Sequence, residues 1–327
     1  MTTLWDTTGS AVVKELAAQR RTGGAVLSGV ALTLVVVADE SRVAEAEEAA
    51  TAAAEQHPCR LLVVVRRQID APTPRLDAEV LIGGRLGPGE SVVMRMYGRL
   101  ALHAESVVLP LLAADAPVVS WWHADPPDRM ATDPLAVIAD RRITDSSIAE
   151  DPVAALVTRA KDYAPGDTDL AWTRTTPWRA LLASALDAVD AKPVSAVIGT
   201  EAGNPSAALI CGWLRSRLAI EASVEDTGGP GITHVEIRTE RADASPYVVR
   251  LERPDGRVAT LTRGDEGERQ LPLPRRQLGD LLAEELRRMD PDFVYADALG
   301  AATGVDGLAE RPGARHHVWR DPAWSAS

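Results

Sequence analysis

Two aliphatic runs, LTLVVV at 32–37, broken only by Thr33, and LLVVV at 61–65, constrain this chain more than any other feature. A half-buried strand alternates apolar and polar residues, whereas a continuous run suits a strand covered on both faces, as in a parallel sheet flanked by helices. Between the runs lies a stretch rich in Ala and Glu, about 41–56, which Asp39 and Ser41 can cap and Pro58 ends. Strand, helix and strand in that order form a β-α-β unit with a right-handed crossover. An opening helix is expected over 9–22, with Val12, Val13, Leu16 and Ala17 on its apolar side and Gly23-Gly24 as its stop. The first strand then begins near residue 25.

The rest of the N-terminal half continues the pattern. Strands are expected at 77–82 and 91–97, with the turn Gly87-Pro88-Gly89 between them. The second, VVMRMY, alternates in part and is placed nearer an edge. Residues 100–114 read as a helix kinked at Pro110, and 116–122 (APVVSWW) as another core strand. A short helix at 134–140 and an extended piece at 141–145 follow. Asp151-Pro152 opens a new helix, and the domain boundary is set there.

In the second half, residues 177–189 form an amphipathic helix, with Thr176 as N-cap and Pro177 in the first turn. Strand 194–198, helix 205–218 and strand 220–225 make a second β-α-β unit. Strands at about 232–239, 246–253 and 257–262 read as an antiparallel meander, followed by helices at 275–289 and 292–301. The segment from 305 is Gly/Pro-rich and expected to be loosely ordered. The fold class is therefore α/β with two α/β domains. Residues 1–150 carry a mostly parallel sheet with flanking helices, 151–304 a mixed sheet with a meander and helices, and 305–327 a flexible tail.

Charge and composition narrow the function. The 327 residues include 47 acidic and 35 basic side chains, a net charge of −12. Such a balance argues against a general nucleic-acid binder, which needs a positive field for phosphates. No apolar run reaches the length of a membrane span, and MTTLWDTTGS has neither the basic nor the apolar region of a signal peptide. A cytoplasmic protein without nucleic-acid or membrane partners is expected.

The search for reaction chemistry finds little. There is no G-x-x-x-x-G-K-[ST], and the first strand runs into Ala38-Asp39-Glu40-Ser41, which sets two carboxylates where a dinucleotide would bring its phosphates. The best anion-site candidate is GTEAGNPS at 199–206, where a strand ends and a helix begins. Glu201 opposes an anion there and the loop has no Lys or Arg, so a plain helix cap is favoured. His123 and Asp125 follow a core strand and could form an acid/base pair, but no third member is evident. The six His and two Cys show no zinc spacing. Cys59 opens a buried strand and Cys211 lies on the apolar face of its helix, so both are read as packing. No catalytic residue, metal or cofactor is assigned.

The tryptophans remain, eight against one Phe. Trp121 and Trp122 are adjacent on a strand, so their rings point to opposite faces, one to the core and the other to a groove or partner. Trp172 and Trp178 flank Arg174. These rings either staple two domains together or form a partner surface. The candidate contact residues are Trp121, Trp122, His123 and Asp125 in one block, and Asp169, Trp172, Arg174, Trp178 and Arg179 in the other.

These blocks also carry a resemblance. DTDLAWTRTTPWRALL (167–182) resembles the central signature of the glucose-6-phosphate dehydrogenase assembly protein family, OpcA. LPLLAADAPVVSWWHADPP (109–127) and RRITDSS (141–147) resemble the family's other marked block, in the same order. The opening helix, the Gly-Gly pair, the LTLVVV strand and PLPRRQLGDLLAEELRRMDPDFVYADAL (272–299) resemble actinobacterial members. The resemblance spans about residues 1–300. It implies a non-catalytic partner of glucose-6-phosphate dehydrogenase that promotes the enzyme's oligomeric assembly, activates it allosterically and supports the oxidative pentose phosphate pathway. Cyanobacterial members are linked to thioredoxin through cysteines; with only Cys59 and Cys211, no redox switch is expected here. The rival reading is a sugar-phosphate or nucleotide-binding enzyme using a cleft between the two halves.

Overall fold

The computed structural model describes residues 1–22, 30–83, 89–264 and 266–318. The chain forms two compact units. One holds Met1–Thr144, Gln277–Asp290 and, among the described residues, 314–318; the other holds Asp145–Arg276 and Pro291–Gly313. The single cut expected after residue 150 is thus replaced by two interleaved units.

In the first unit, strand β1 (Thr2–Leu4) and helix α1 (Gly9–Thr22) precede the central strands β2 (Leu32–Ala38) and β3 (Cys59–Arg67). The Gly23-Gly24 stop and the expected strand start at 25 lie outside the described residues. Every residue of β2 is buried, as are the first seven of β3. The two strands are parallel, with Val36 opposite Val63, as the aliphatic runs require. A 3-10 turn at Glu40–Arg42 leads into helix α2 (Val43–Ala54), which crosses between them.

Strands β4 (Arg75–Ile82) and β5 (Glu90–Tyr97) are antiparallel. β5 also pairs in parallel with β3, so VVMRMY is interior and not near an edge. Its partial alternation misleads because Arg95 is held by Glu40 and Glu79 and needs no free edge. The helix expected over 100–114 is broken into α3 (Arg99–Leu102), α4 (Glu105–Val108) and a 3-10 turn containing Pro110. Strand β6 (Val118–His123), helix α5 (Pro134–Val137) and strand β7 (Arg141–Thr144) complete this run. The order of these strands is β1-β4-β5-β3-β2-β6-β7, parallel from β5 to β7.

One face of this sheet meets Val12 and Leu16 of α1, Ala101, Val107, Val108 and Leu111 of the broken helix, and Leu135 of α5. The alternate set Leu34, Val36, Leu61 and Val63 is equally buried, on the face that carries α2.

The second unit starts with helix α6 (Pro152–Asp162), where the Asp151 carboxylate caps the Ala154 N–H at 3.0 Å. A short strand β8 (Asp167–Asp169) leads into helices α7 (Leu170–Thr173) and α8 (Thr176–Asp187). The N-cap of α8 is Thr175, one residue earlier than expected, and it gives no side-chain cap. Its hydroxyl donates instead to the Trp172 carbonyl at 2.6 Å.

The second β-α-β unit is β9 (Lys192–Thr200), α9 (Pro205–Leu218) and β10 (Glu221–Asp226), with β10 parallel to β9. Three antiparallel strands follow, β11 (His234–Glu240), β12 (Pro246–Glu252) and β13 (Val258–Arg263), then a fourth, β14 (Glu268–Pro272), which the sequence pattern did not show. The strand order is β10-β9-β11-β12-β13-β14.

Helix α10 (Leu278–Leu286) belongs to the first unit, where it packs on α2. The next helix, α11 (Phe293–Thr303), packs on α9 in the second. The described part of the expected tail is tied down: Leu308 is buried and the Val318 N–H donates to the Ala131 carbonyl. The rest of that tail, 319–327, lies outside the described residues.

Candidate functional site

Trp121, Trp122 and His123 end strand β6, which lies between β2 and β7. The alternation expected for adjacent strand residues is present. Trp122 joins the cluster with Val35 and Val37, while the Trp121 ring stands 4.8 Å from the His123 ring. Both sides are covered, however. Trp121 is 0% exposed and Trp122 1%, so neither ring opens onto a groove. The expectation of one outward ring fails because the flanking helices cover this sheet on both faces.

His123 is buried, and its Nε2 lies 2.9 Å from Oε2 of Glu45 on α2, an exposed carboxylate. Its partner is therefore Glu45 and not Asp125. Asp125 is exposed, two residues past the strand end.

The second block is built around buried carboxylates. Asp169 is 0% exposed. It accepts from the Ala171 N–H at 2.9 Å, capping α7, from the Ser146 Oγ at 2.7 Å and from the Ser146 N–H. Donors of this kind satisfy a buried carboxylate, and Arg174 also interacts with it electrostatically. Asp145, also buried, receives both terminal nitrogens of Arg174 at 2.7 Å. Burial opposes the charge on Arg174, yet the Asp145 carboxylate holds the guanidinium above its ordinary range.

Trp172 donates its indole N–H to Asp292 at 2.8 Å, and the Arg179 guanidinium stacks 3.5 Å from its ring. Trp178 lies inward with Leu182 and Ala185. Trp172 and Trp178 are 1% and 2% exposed. The block is thus a packed node that fixes Asp145–Ser147 to α7 and α8, and of its five candidate contact residues Arg174 and Arg179 are the partly exposed ones.

Beside this node the second unit holds a cavity of about 590 Å³. Its lining includes Arg174, Trp178, Glu201, the α9 start Asn204–Ser206, Arg253, Arg275 and Arg276. Asn204 caps α9 as expected, accepting from the Ala207 N–H at 2.9 Å, and its amide holds Glu201 Oε1 at 2.8 Å. The loop itself has no Lys or Arg, but the fold brings arginines to it from the end of β12 and from the segment after β14. No local spacing signals that convergence.

The cysteines are both buried. Burial pushes the Cys59 thiol up to about 12 and also raises that of Cys211, which donates to the Ala222 carbonyl at 3.2 Å. Among the described residues no group of three or more His, Cys, Asp or Glu is placed to hold a metal ion, and no helix is long and apolar enough to cross a membrane.

Comparison with known proteins gives two family matches. Residues 50–161 match the model described as the glucose-6-phosphate dehydrogenase subunit N-terminal domain, and residues 165–299 match its C-terminal domain. No curated protein matches the chain in sequence. Among solved structures, KijD10, a 3-ketoreductase from Actinomadura kijaniata in complex with NADP, is 11% identical with a TM-score of 0.37, covering 89% of this chain and 99% of that one. The transcriptional regulator Gal80p from Kluyveromyces lactis is 9% identical with a TM-score of 0.42, covering 90% and 94%. An NAD-binding oxidoreductase from Klebsiella pneumoniae is 10% identical with a TM-score of 0.32, covering 84% and 90%. Overlaps this loose bear on neither cofactor nor activity.

Proposed function

The chain belongs to the glucose-6-phosphate dehydrogenase assembly protein family, OpcA, and from that premise we propose that it is a non-catalytic, cytoplasmic activator of that dehydrogenase. It binds the enzyme's active oligomer better than its inactive form, and this differential affinity moves the population toward the active state. The flux served is the oxidative branch of the pentose phosphate pathway. The observation that carries the reading is the pair of family matches at 50–161 and 165–299, which together take in most of both compact units.

The proposed contact set consists of two segments taken separately, 121–125 in the first unit and 169–179 in the second. Its buried members, Trp121, Trp122, His123, Asp169, Trp172 and Trp178, hold the backbone, and the side chains that reach solvent, Asp125, Arg174 and Arg179, make the contact. The test is a titration of the purified dehydrogenase with this chain while NADPH production is followed. Activity is expected to rise saturably, and the two proteins to co-purify. If the chain neither binds the enzyme nor changes its rate, the reading is wrong.

A further inference from the structure

The lining of the cavity in the second unit carries more basic than acidic side chains. Four arginines and one glutamate line it, in a protein whose net charge is −12. Arg174 is neutralised by Asp145. No carboxylate among the described residues forms an ion pair with Arg253, and the opposing charge that acts on it is Asp255. Arg253 is 8% exposed, its two terminal nitrogens reach only the carbonyls of Leu273 and Ile232, at 3.2 and 3.4 Å, and its Nε is buried with no acceptor.

The charges around Arg253 are of both signs. Its guanidinium lies 5.0 Å from the Trp178 ring, and the nearby charges are Arg275, of like sign, and Asp255. The Asp255 carboxylate is engaged by the N–H groups of Arg257 and Val258. Burial and Arg275 together pull the Arg253 guanidinium below its ordinary range. Arg275 donates to the Pro230 carbonyl and lies across Gly231 and Gly256. A Cβ at Gly256 would come within 3.2 Å of the Arg275 Nε.

A buried cation without an ion-pair partner is costly, and a cavity beside it is where an anion would relieve that cost. The start of α9, a helix of 14 residues, opens onto the same cavity and adds the positive end of its dipole. Glu201 supplies the opposite need. Asn204 occupies its Oε1, while its Oε2 is buried and receives no donor. The arginines and the α9 start therefore offer donors for an anion, and Glu201, in the same lining, holds an oxygen that no donor engages. Its volume is that of a small-molecule site.

We propose that this cavity binds a small phosphorylated polyol, with its phosphate against Arg253, Arg275 and the α9 start and one of its hydroxyls donating to Glu201. A sugar phosphate and a nucleoside monophosphate share that chemistry. The assignment stands apart from the family reading, since it is tested on this chain alone.

The experiment is calorimetry and thermal unfolding of the full chain with inorganic phosphate, a hexose 6-phosphate, a nucleoside monophosphate and the unphosphorylated hexose. At least one ester is expected to bind and raise Tm, while the free hexose does neither. The ester that binds identifies the source. Arg275→Gln, a change at an exposed side chain, should weaken the ester about tenfold or more, and Arg253→Gln should abolish its binding. Glu201→Gln should tighten inorganic phosphate and reduce the preference for the ester over it. If Arg253→Gln does not fold, Arg275→Gln decides. The proposal is overturned if no phosphate compound binds by about 10 mM, or if binding is unchanged in Arg275→Gln.

Discussion

At the scale of single residues, the second block is defined by who satisfies whom. Asp169 is fully buried, and Ser146 and Ala171 supply donors to its carboxylate. Removing the acceptor leaves those donors stranded, so Asp169→Ala should cost about 3 kcal/mol in denaturant unfolding. A loss below about 0.5 kcal/mol would show that water replaces the carboxylate. Cys59 makes the opposite case, a group silenced by its surroundings. With a thiol pushed up to about 12, only about one molecule in ten thousand is thiolate at pH 8. Native protein should therefore not react with a thiol reagent at pH 8 while unfolded protein does. Dithiothreitol and mild oxidant should leave dehydrogenase activation unchanged, and a reversible oxidative loss that vanishes in Cys59→Ser would contradict this. That Cys59 opens a covered strand was legible in the sequence. The burial of Trp121 was not, because alternation says only that adjacent rings part company. Whether the second face is also covered depends on helices remote in the chain.

At the scale of elements, helix α10 shows where reading along the chain stops working. Its amphipathic stripe places a helix over 275–289, but nothing local says which unit it joins. Two contacts decide it. Arg141 on β7 forms a buried ion pair with Glu285 and also donates to the Asp290 carbonyl at 3.1 Å. Gly279 lets α10 approach α2 so closely that a Cβ would lie 2.7 Å from that of Ala52. Residues 141 and 285 carry no sign of each other in sequence. Glu285→Ala leaves Arg141 buried without its carboxylate and should cost about 3–5 kcal/mol. Gly279→Val, which overpacks the α10–α2 contact, should cost about 1–3 kcal/mol. Both are read from shifts in thermal unfolding and from faster amide exchange in α2. Unchanged exchange in α2 would place the anchor of α10 elsewhere. By contrast, the β-α-β units were plain in the sequence, because near-continuous aliphatic runs suit two-sided burial and Asn204-Pro205 supplies the residue types favoured at N-cap and N1.

At the scale of the whole molecule, the first unit is a mostly parallel sheet between helices and the second a mixed sheet ending in a meander. Family membership extends through both. The arginine-lined cavity was the part of the molecule least visible in advance. Its loop at 199–206 drew notice as a strand-to-helix junction, but the cations that change its character come from residues 253, 275 and 276. The proposed contact surface makes a separable prediction: Asp125→Lys, at an exposed position, should leave Tm unchanged and weaken activation of the dehydrogenase severalfold. Full activation by this variant would move the contact away from the β6 end. The central claim, a shift of the dehydrogenase toward its active oligomer, is tested most directly by mass photometry of that enzyme with and without this chain. The account predicts that the chain joins the enzyme and raises the fraction in the larger, active assembly as its concentration increases. An unchanged distribution of dehydrogenase masses at saturating chain would contradict it.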